Sequence, residues 1–478
     1  MAVLEHLEPK NVFHFFEEIC AIPHGSGNTK RISDYLVSFA VQRGLEHYQD
    51  GLNNVIIIKP AAPGYEQSAP VILQGHMDMV CEKAPDCDKD MEREGLELAV
   101  EGDTVLAKGT TLGGDDGIAV AMMLAALDDG AMEHPRLECV FTVDEETGMD
   151  GAVGLDVSPL QGKRLLNLDS EDEGVFTVSC AGGNRTHCVL PVKREAFTGV
   201  MMTVSVTGLI GGHSGVEIHK GRLNASVALA HLLYALSRAT ALRLVSVSGG
   251  LKDNAIPVAA SAVVCAADGA AVRELCARRE AALRSEYAVT DPGVTVTVTE
   301  GGAGLPMTGE STDRALCLLS CCPNGVQVMS ADIPGLVQTS LNLGILTTSD
   351  EAVEASFSVR SSVERQKRQL TETLQCLTER LGGTVYVTGD YPGWQYRQDS
   401  PLRDLLVSLY TEQYGKAPVV EAIHAGVECG LFCGKIEGLD CVSIGPDLSD
   451  IHTFRERLHI ASTGRVWQMV CQALRRMK

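Results

Sequence analysis

Apolar residues three and four positions apart open the chain. Val12, Phe15, Phe16 and Ile19, then Ile32, Tyr35, Leu36 and Phe39 after Thr29, predict two amphipathic helices joined by the turn IPHGSGN. His24 in that turn is expected as an ordinary loop residue. The pattern then changes to short continuous apolar runs: NVIIIK after the turn DGLNN, VILQGHMDMV (71–80), LECVFTVDEE (137–146), KRLLNLDSE (163–171) and DCVSIGP (440–446). Runs of this length between Gly and Pro punctuation read as buried strands, and the apolar stretch 118–127 reads as a buried helix. Strand and helix alternate, so this part is α/β with a mixed sheet.

These runs end in acids and histidines. In extended backbone, residues two apart share a face, so His76 and Asp78 leave their strand side by side. Glu145 and Glu146 stand at the next exit, Asp169 at the third, and the fourth leads into a loop carrying His452. Open α/β sheets collect ligands beyond the carboxyl ends of their strands, at a switch in strand order, so these exits form one site. Asp115 and Asp116 follow the glycine-rich TLGG before the 118–127 helix; Asp115 joins the site and Asp116 is expected to cap the helix.

From about residue 186 the order becomes strand 200–207, helix 223–238, strands 242–248 and 258–266, helix 270–287 and strand 294–299. That βαββαβ order is ferredoxin-like. A second, partial copy is expected from a helix near 312–319, strands near 336–346 and 355–360, a helix at 364–381 and a strand at 384–388. The chain then returns to the first domain through helix 402–414, the turn HAGVECGLF and a last helix at 463–476. The predicted organisation is a catalytic domain from residues 1–185 and 391–478, interrupted by an inserted α+β lid domain at 186–390. With 478 residues, two domains are the default.

Composition narrows the function. Acids outnumber bases 62 to 40, which argues against a nucleic-acid partner, since such binding rests on basic surface. No run approaches the roughly 18 apolar residues of a membrane helix, and the N-terminus lacks the pattern of a secretory signal, so a cytoplasmic location is expected. The 16 cysteines are scattered without a CxxC, which predicts free thiols rather than disulfides or a thiolate metal site.

His76, Asp115, Glu146, Asp169 and His452 suit two divalent ions, each with one imidazole and one terminal carboxylate, sharing a bridging carboxylate. Nitrogen and oxygen donors without sulfur fit Zn²⁺, with Mn²⁺ or Co²⁺ as alternatives. Two such ions about 3.5–4 Å apart can hold a hydroxide between them and polarise a carbonyl. Glu145, beside a ligand but pointing elsewhere, is the candidate general base. Asp78 is the candidate hydrogen-bond acceptor for the second nitrogen of His76.

The motifs GHMDMV, TLGGDDG, DEETGMDGA, NLDSEDEG and GGHSG resemble the dinuclear zinc metallopeptidases of the aminoacylase and carboxypeptidase type. The resemblance covers nearly the whole chain. It implies that His76, Asp115 and Asp169 hold one ion and Asp115, Glu146 and His452 the other, with Asp115 bridging, Glu145 as base and a cis peptide after Asp115. It implies that His213 in GGHSG stabilises the oxyanion, from the same chain or from a dimer partner. Asn254 and Arg360 would grip the substrate carboxylate, and His424 and Gly426 would belong to a substrate loop of the catalytic domain. In the family the last histidine precedes a small residue, Pro, an acid and Glu. This chain has HTFRERL from His452, with Glu456 still aligned and His459 as the competing position.

The implied activity is metal-dependent hydrolysis of dipeptides of broad side-chain range, Xaa-His included, with a homodimer through the lid as a further partner. An amidohydrolase of N-acyl amino acids or a tripeptidase is the second reading. A non-catalytic peptide-binding protein on a peptidase fold is the third.

Overall fold

The computed structural model, which describes residues 3–478, gathers the apolar runs into an eight-stranded mixed sheet. From edge to edge its strands are Glu46–Gln49, Val55–Lys59, Leu137–Thr142, Val71–His76, Arg164–Asn167, Asp440–Ser443, Val175–Cys180 and Val419–Ile423. The strands from Leu137–Thr142 through Asp440–Ser443 run parallel to one another. Val71–His76 and Leu137–Thr142 are buried along their whole length, which explains why they read as mostly apolar runs rather than alternating ones. The chain leaves Val71–His76 for a strand on one side and returns for a strand on the other. That makes the carboxyl end of Val71–His76 the switch point.

Helix Gly114–Asp128 is apolar on all sides because it lies between the sheet and helix Lys10–Cys20. Phe13, Phe16 and Ile19 are fully buried there, contributing roughly 1.5–3 kcal/mol each. A second, antiparallel sheet joins Leu98–Glu101, Thr104–Ala107, Arg457–His459 and Leu448–Ser449. Its last two strands form a hairpin, Ser449 opposite Arg457, whose loop carries His452. The half-exposed strand Leu98–Glu101 gave no apolar signal in the sequence.

Two compact units divide the chain. Residues 3–179, 396–422 and 427–478 form the first; residues 180–395 with 423–426 form the second. The units part a few residues from the positions read in the sequence, and His424 and Gly426, expected with the catalytic domain, cluster with the second unit.

The second unit has a sheet in the order Thr295–Glu300, Val200–Thr207, Ala260–Ala266, Leu242–Gly249, Val337–Thr348, Ala352–Ser361, Gly182–Pro191, Thr384–Tyr391. The first four strands are one ferredoxin-like half and the last four another, joined where Gly249 meets Leu346. The second half is complete rather than partial. Its first strand, Gly182–Pro191, precedes the whole first half in sequence, so the first half is itself an insertion. Asn224, Asp268 and Thr308 cap three of the helices by accepting backbone N–H bonds. Leu341, Leu343, Phe357 and Val359 enter the core, so by alternation Ser340, Asn342, Ser358 and Arg360 point to the opposite face.

Candidate active site

In the first unit the strand exits converge. Nε2 of His76 lies 3.1 Å from Asp115 Oδ1 and 3.5 Å from Asp169 Oδ1. Nε2 of His452 lies 3.1 Å from the other oxygen of Asp115, Oδ2, and 3.0 Å from Glu146. Asp115 therefore stands between two imidazoles, each of which also meets one further carboxylate. The peptide bond from Asp115 to Asp116 is cis. His459 lies in the strand Arg457–His459, paired with Thr104, and of the two histidines it is His452 that meets the cluster.

The protons of His76 can be assigned. Its Nδ1 lies 3.0 Å from the carbonyl oxygen of Asp78, which can only accept, so Nδ1 carries a hydrogen. The Asp78 carboxylate is farther, at 3.4 Å, and is held by Ser26 Oγ at 2.8 Å and the N–H of Glu145 at 3.2 Å. In the neutral ring, Nε2 then presents a lone pair to two carboxylate oxygens. Lone pairs do not meet at 3.1–3.5 Å in a buried site without a cation or a proton between them. Tetrahedral ligands at about 2.0–2.2 Å from an ion are roughly 3.3–3.6 Å from each other; the 3.5 Å separation falls in that range and the 3.1 Å one lies just below it. The donor set thus fits metal ions, and His76 with Asp115 and Glu146, and His76 with Asp116 and Asp169, each converge closely enough to hold one.

Titration follows from this crowding of negative charge. Burial would lower His76, but Asp169, Asp115 and Asp78 outweigh it and hold the imidazole well above its ordinary value. Hydrogen bonds from the His452 ring to the Asp115 and Glu146 carboxylates push His452 to about 10. Burial raises Asp169 to about 6, partly relieved by His76. Glu145 rises to about 9, first by burial and then by Asp169, Glu428 and Glu146, against the pull of His76. Cations in the cluster would lower every one of these carboxyls.

Asp116 does not cap the helix: it is buried, and its Oδ2 accepts the backbone N–H of His76 at 3.2 Å. Of two further acids, Glu428 was not singled out from the sequence and Glu456 was named only as an aligned position, with no role. Glu428 is fully buried, accepting from Gln74 Nε2 at 2.6 Å and Thr142 Oγ1 at 2.7 Å beneath the strand exits. Glu456 reaches the backbone of the Asp115 turn. A polar residue in an apolar run, such as Gln74, was the only signal for the first.

In the second unit a row crosses four strands in register: Ser340 opposite Arg360, Arg360 opposite Gly183, and Gly183 opposite Tyr391. Gly183 leaves a gap through which Arg360 Nη1 donates to Tyr391 Oη at 3.3 Å; a Cβ there would lie 2.8 Å from that oxygen. Segment 423–426 covers the row. His424 Nε2 lies 2.7 Å from Ser340 Oγ, and a Cβ on Gly426 would collide with the Tyr391 ring. The buried Nε of Arg360 has no hydrogen-bond partner among the described residues.

His213 follows in the short strand Gly212–His213. Its Nδ1 accepts from the N–H groups of Gly215 and Val216, both at 3.1 Å, so the neutral ring carries its hydrogen on Nε2, free to donate. Burial, then the Arg360 cation, keeps both His213 and His424 below the ordinary imidazole value, His424 at about 3. Asn254 contributes its carbonyl to Ser214 N–H at 2.8 Å.

The chain is 37% identical over 482 aligned positions, and 99% of both chains, to the cytosol non-specific dipeptidase of Escherichia coli (strain K12). Its structure matches the crystal structure of aminoacylhistidine dipeptidase from Vibrio alginolyticus with a TM-score of 0.93 and 35% identity, covering 98% of this chain and 97% of that one. An aminopeptidase of Bacillus cereus shares the fold at a TM-score of 0.56 and 15% identity, covering 98% and 99%. Residues 72–476 match the model of peptidase family M20/M25/M40, and with the two relatives covered end to end, the chain belongs to that family.

Proposed function

We propose that this chain is a dinuclear metal-dependent dipeptidase of broad specificity, Xaa-His substrates included. The observation that carries this reading is the pair of imidazole Nε2 atoms, each facing two carboxylate oxygens at 3.0–3.5 Å with Asp115 common to both. His76, Asp115 and Asp169 hold one ion and Asp115, Glu146 and His452 the other. Zn²⁺ suits the donors best, and Mn²⁺ or Co²⁺ can replace it. Bound there, the ions supply Lewis-acid polarisation of the peptide carbonyl and a water of lowered pKa.

Glu145 takes the proton from the attacking water and delivers it to the leaving amine. Its buried carboxyl has the high proton affinity that the second transfer needs, tempered by the ions. Asp78 fixes the His76 ring through its carbonyl, and its carboxylate orients the Glu145 backbone. His213, with its hydrogen on Nε2, donates to the oxyanion, from the same chain or from a second copy joined through the second unit. Arg360 and Asn254 take the substrate carboxylate, with His424 and Gly426 shaping the segment over Arg360.

Among the described residues no helix is long and apolar enough to cross a membrane. The relative from Escherichia coli carries "cytosol" in its name, and we place this protein in the cytoplasm on that ground and on its free thiols.

The test is turnover of a free dipeptide panel, including Xaa-His, by metal-loaded protein, against N-acetylated dipeptides and tripeptides. Cleavage of free dipeptides with rejection of blocked ones is the expected result. Preference for N-acyl amino acids or tripeptides would replace this reading with the amidohydrolase or tripeptidase one. No turnover with Zn²⁺, Mn²⁺ or Co²⁺ would leave a peptide-binding protein.

A further inference from the structure

Glu456 is a buried carboxylate that accepts hydrogen bonds from one stretch of backbone, residues 112–115. Its Oε2 accepts from the N–H groups of Leu112 at 2.8 Å and Gly113 at 3.1 Å, and its Oε1 from Gly114 at 2.8 Å and Asp115 at 3.3 Å. Successive amides converge on one anion where an αL residue joins right-handed backbone, and Gly113 supplies it at φ +66° at the start of the helix. The next glycine is needed for room. A Cβ on Gly114 would lie 2.7 Å from Leu448 and 3.2 Å from Glu456 Oε1. The glycine pair in TLGGDDG therefore shapes a cradle for this carboxylate.

The two partners in this contact carry two of the proposed ligands. Asp115 is the last residue of the cradle, and His452 stands four residues before Glu456 in the same hairpin loop, with positive φ at Asp450 and His452. We propose that Glu456 is a positioning residue for the metal pair: it locks the His452 loop onto the Asp115 turn and so sets the separation of His452 Nε2 from Asp115 Oδ2. This rests on the metal reading above.

The test is metal content, measured by plasma mass spectrometry on the full-length protein after dialysis against graded dipicolinate. In Glu456→Gln an amide NH₂ faces donors that have only N–H groups to offer, so part of the cradle is left unpaired. The expected result is loss of one ion at about 10- to 100-fold lower chelator, with the other ion released where wild type releases it. Gly114→Ala, which presses on the carboxylate from the other side, is expected to do the same.

Glu138→Gln is the control. Glu138 is equally buried and accepts from Gln161 and Gly162 N–H groups and from Arg136, at the far end of the strand that leads to Glu145. It is expected to lower the melting temperature of metal-free protein and leave the metal profile unchanged. Wild-type release of both ions in Glu456→Gln, or parallel loss of both with no selectivity in either cradle variant, would overturn the proposal. Wild-type protein that fails to take up two ions would overturn the metal reading itself, and the role of Glu456 with it.

Discussion

Arg360 offers the sharpest separation between binding and chemistry. Its Nη1 is tied to Tyr391 Oη at 3.3 Å, and its buried Nε has no hydrogen-bond partner among the described residues, so the guanidinium is oriented with donors to spare. A substrate carboxylate taking two of those donors forms two charge-assisted bonds, each contributing roughly 1.5–3 kcal/mol. Arg360→Ala should then cost about 3–6 kcal/mol, a fall of about 10²- to 10⁴-fold in kcat/KM for a free dipeptide. The comparison substrate is the same dipeptide as its C-terminal amide, which has no carboxylate to lose and should fall by less than about tenfold. Arg360→Lys should recover only part of the activity, because one ammonium cannot make the paired contact. Burial and, second to it, Arg360 hold His213 and His424 neutral, so the assay belongs at about pH 8, where both imidazoles stay uncharged without the cation. Equal losses on dipeptide and amide would refute the reasoning and make Arg360 a structural residue of the row.

Three further outcomes follow from the same geometry. Glu145→Gln should lower kcat by about 10²- to 10⁴-fold while metal content stays at the wild-type value, since Glu145 is not among the proposed ligands; loss of metal in that variant would contradict its role as base. His452→Ala should lose one ion and nearly all turnover, whereas His459→Ala should keep both, as its backbone pairs in a strand with Thr104. His424 has a folded value of about 3 against an ordinary 6.5, so between those values the unfolded chain binds a proton that the folded chain refuses. Stability from this group is complete above 6.5 and falls by about 1.4 kcal/mol per pH unit on acidification through the window. Urea midpoints at pH 7 and pH 5 should therefore drop less in His424→Gln than in wild type, and an identical drop would remove the assignment.

The strand exits were legible because their chemistry is local. A carboxylate or imidazole one or two residues past an apolar run is placed by the strand itself, and His76, Glu146 and Asp169 needed no more than that. Asp116 was misread for the complementary reason. Two acids before a helix are a capping signal in sequence, and only the turn of the chain at Asp115 sends Asp116 inward to the backbone of His76. The completeness of the second ferredoxin-like half was hidden by an insertion: strand Gly182–Pro191 is separated from its own half by the entire other half.

Alternation and period, which depend on neighbours in the chain, determined the α/β class, the interruption by an α+β region and the side chains that could carry metal. Register and loop docking, which depend on residues hundreds of positions apart, decided the rest. Gly183 had to fall between Arg360 and Tyr391 for those side chains to meet, and His424 had to bond Ser340 for its segment to join the second unit. The grip of Glu456 on residues 112–115 spans more than 340 positions of chain. No periodicity encodes such a contact, because its energy comes from desolvated donors and acceptors that exist as partners only after the chain has folded.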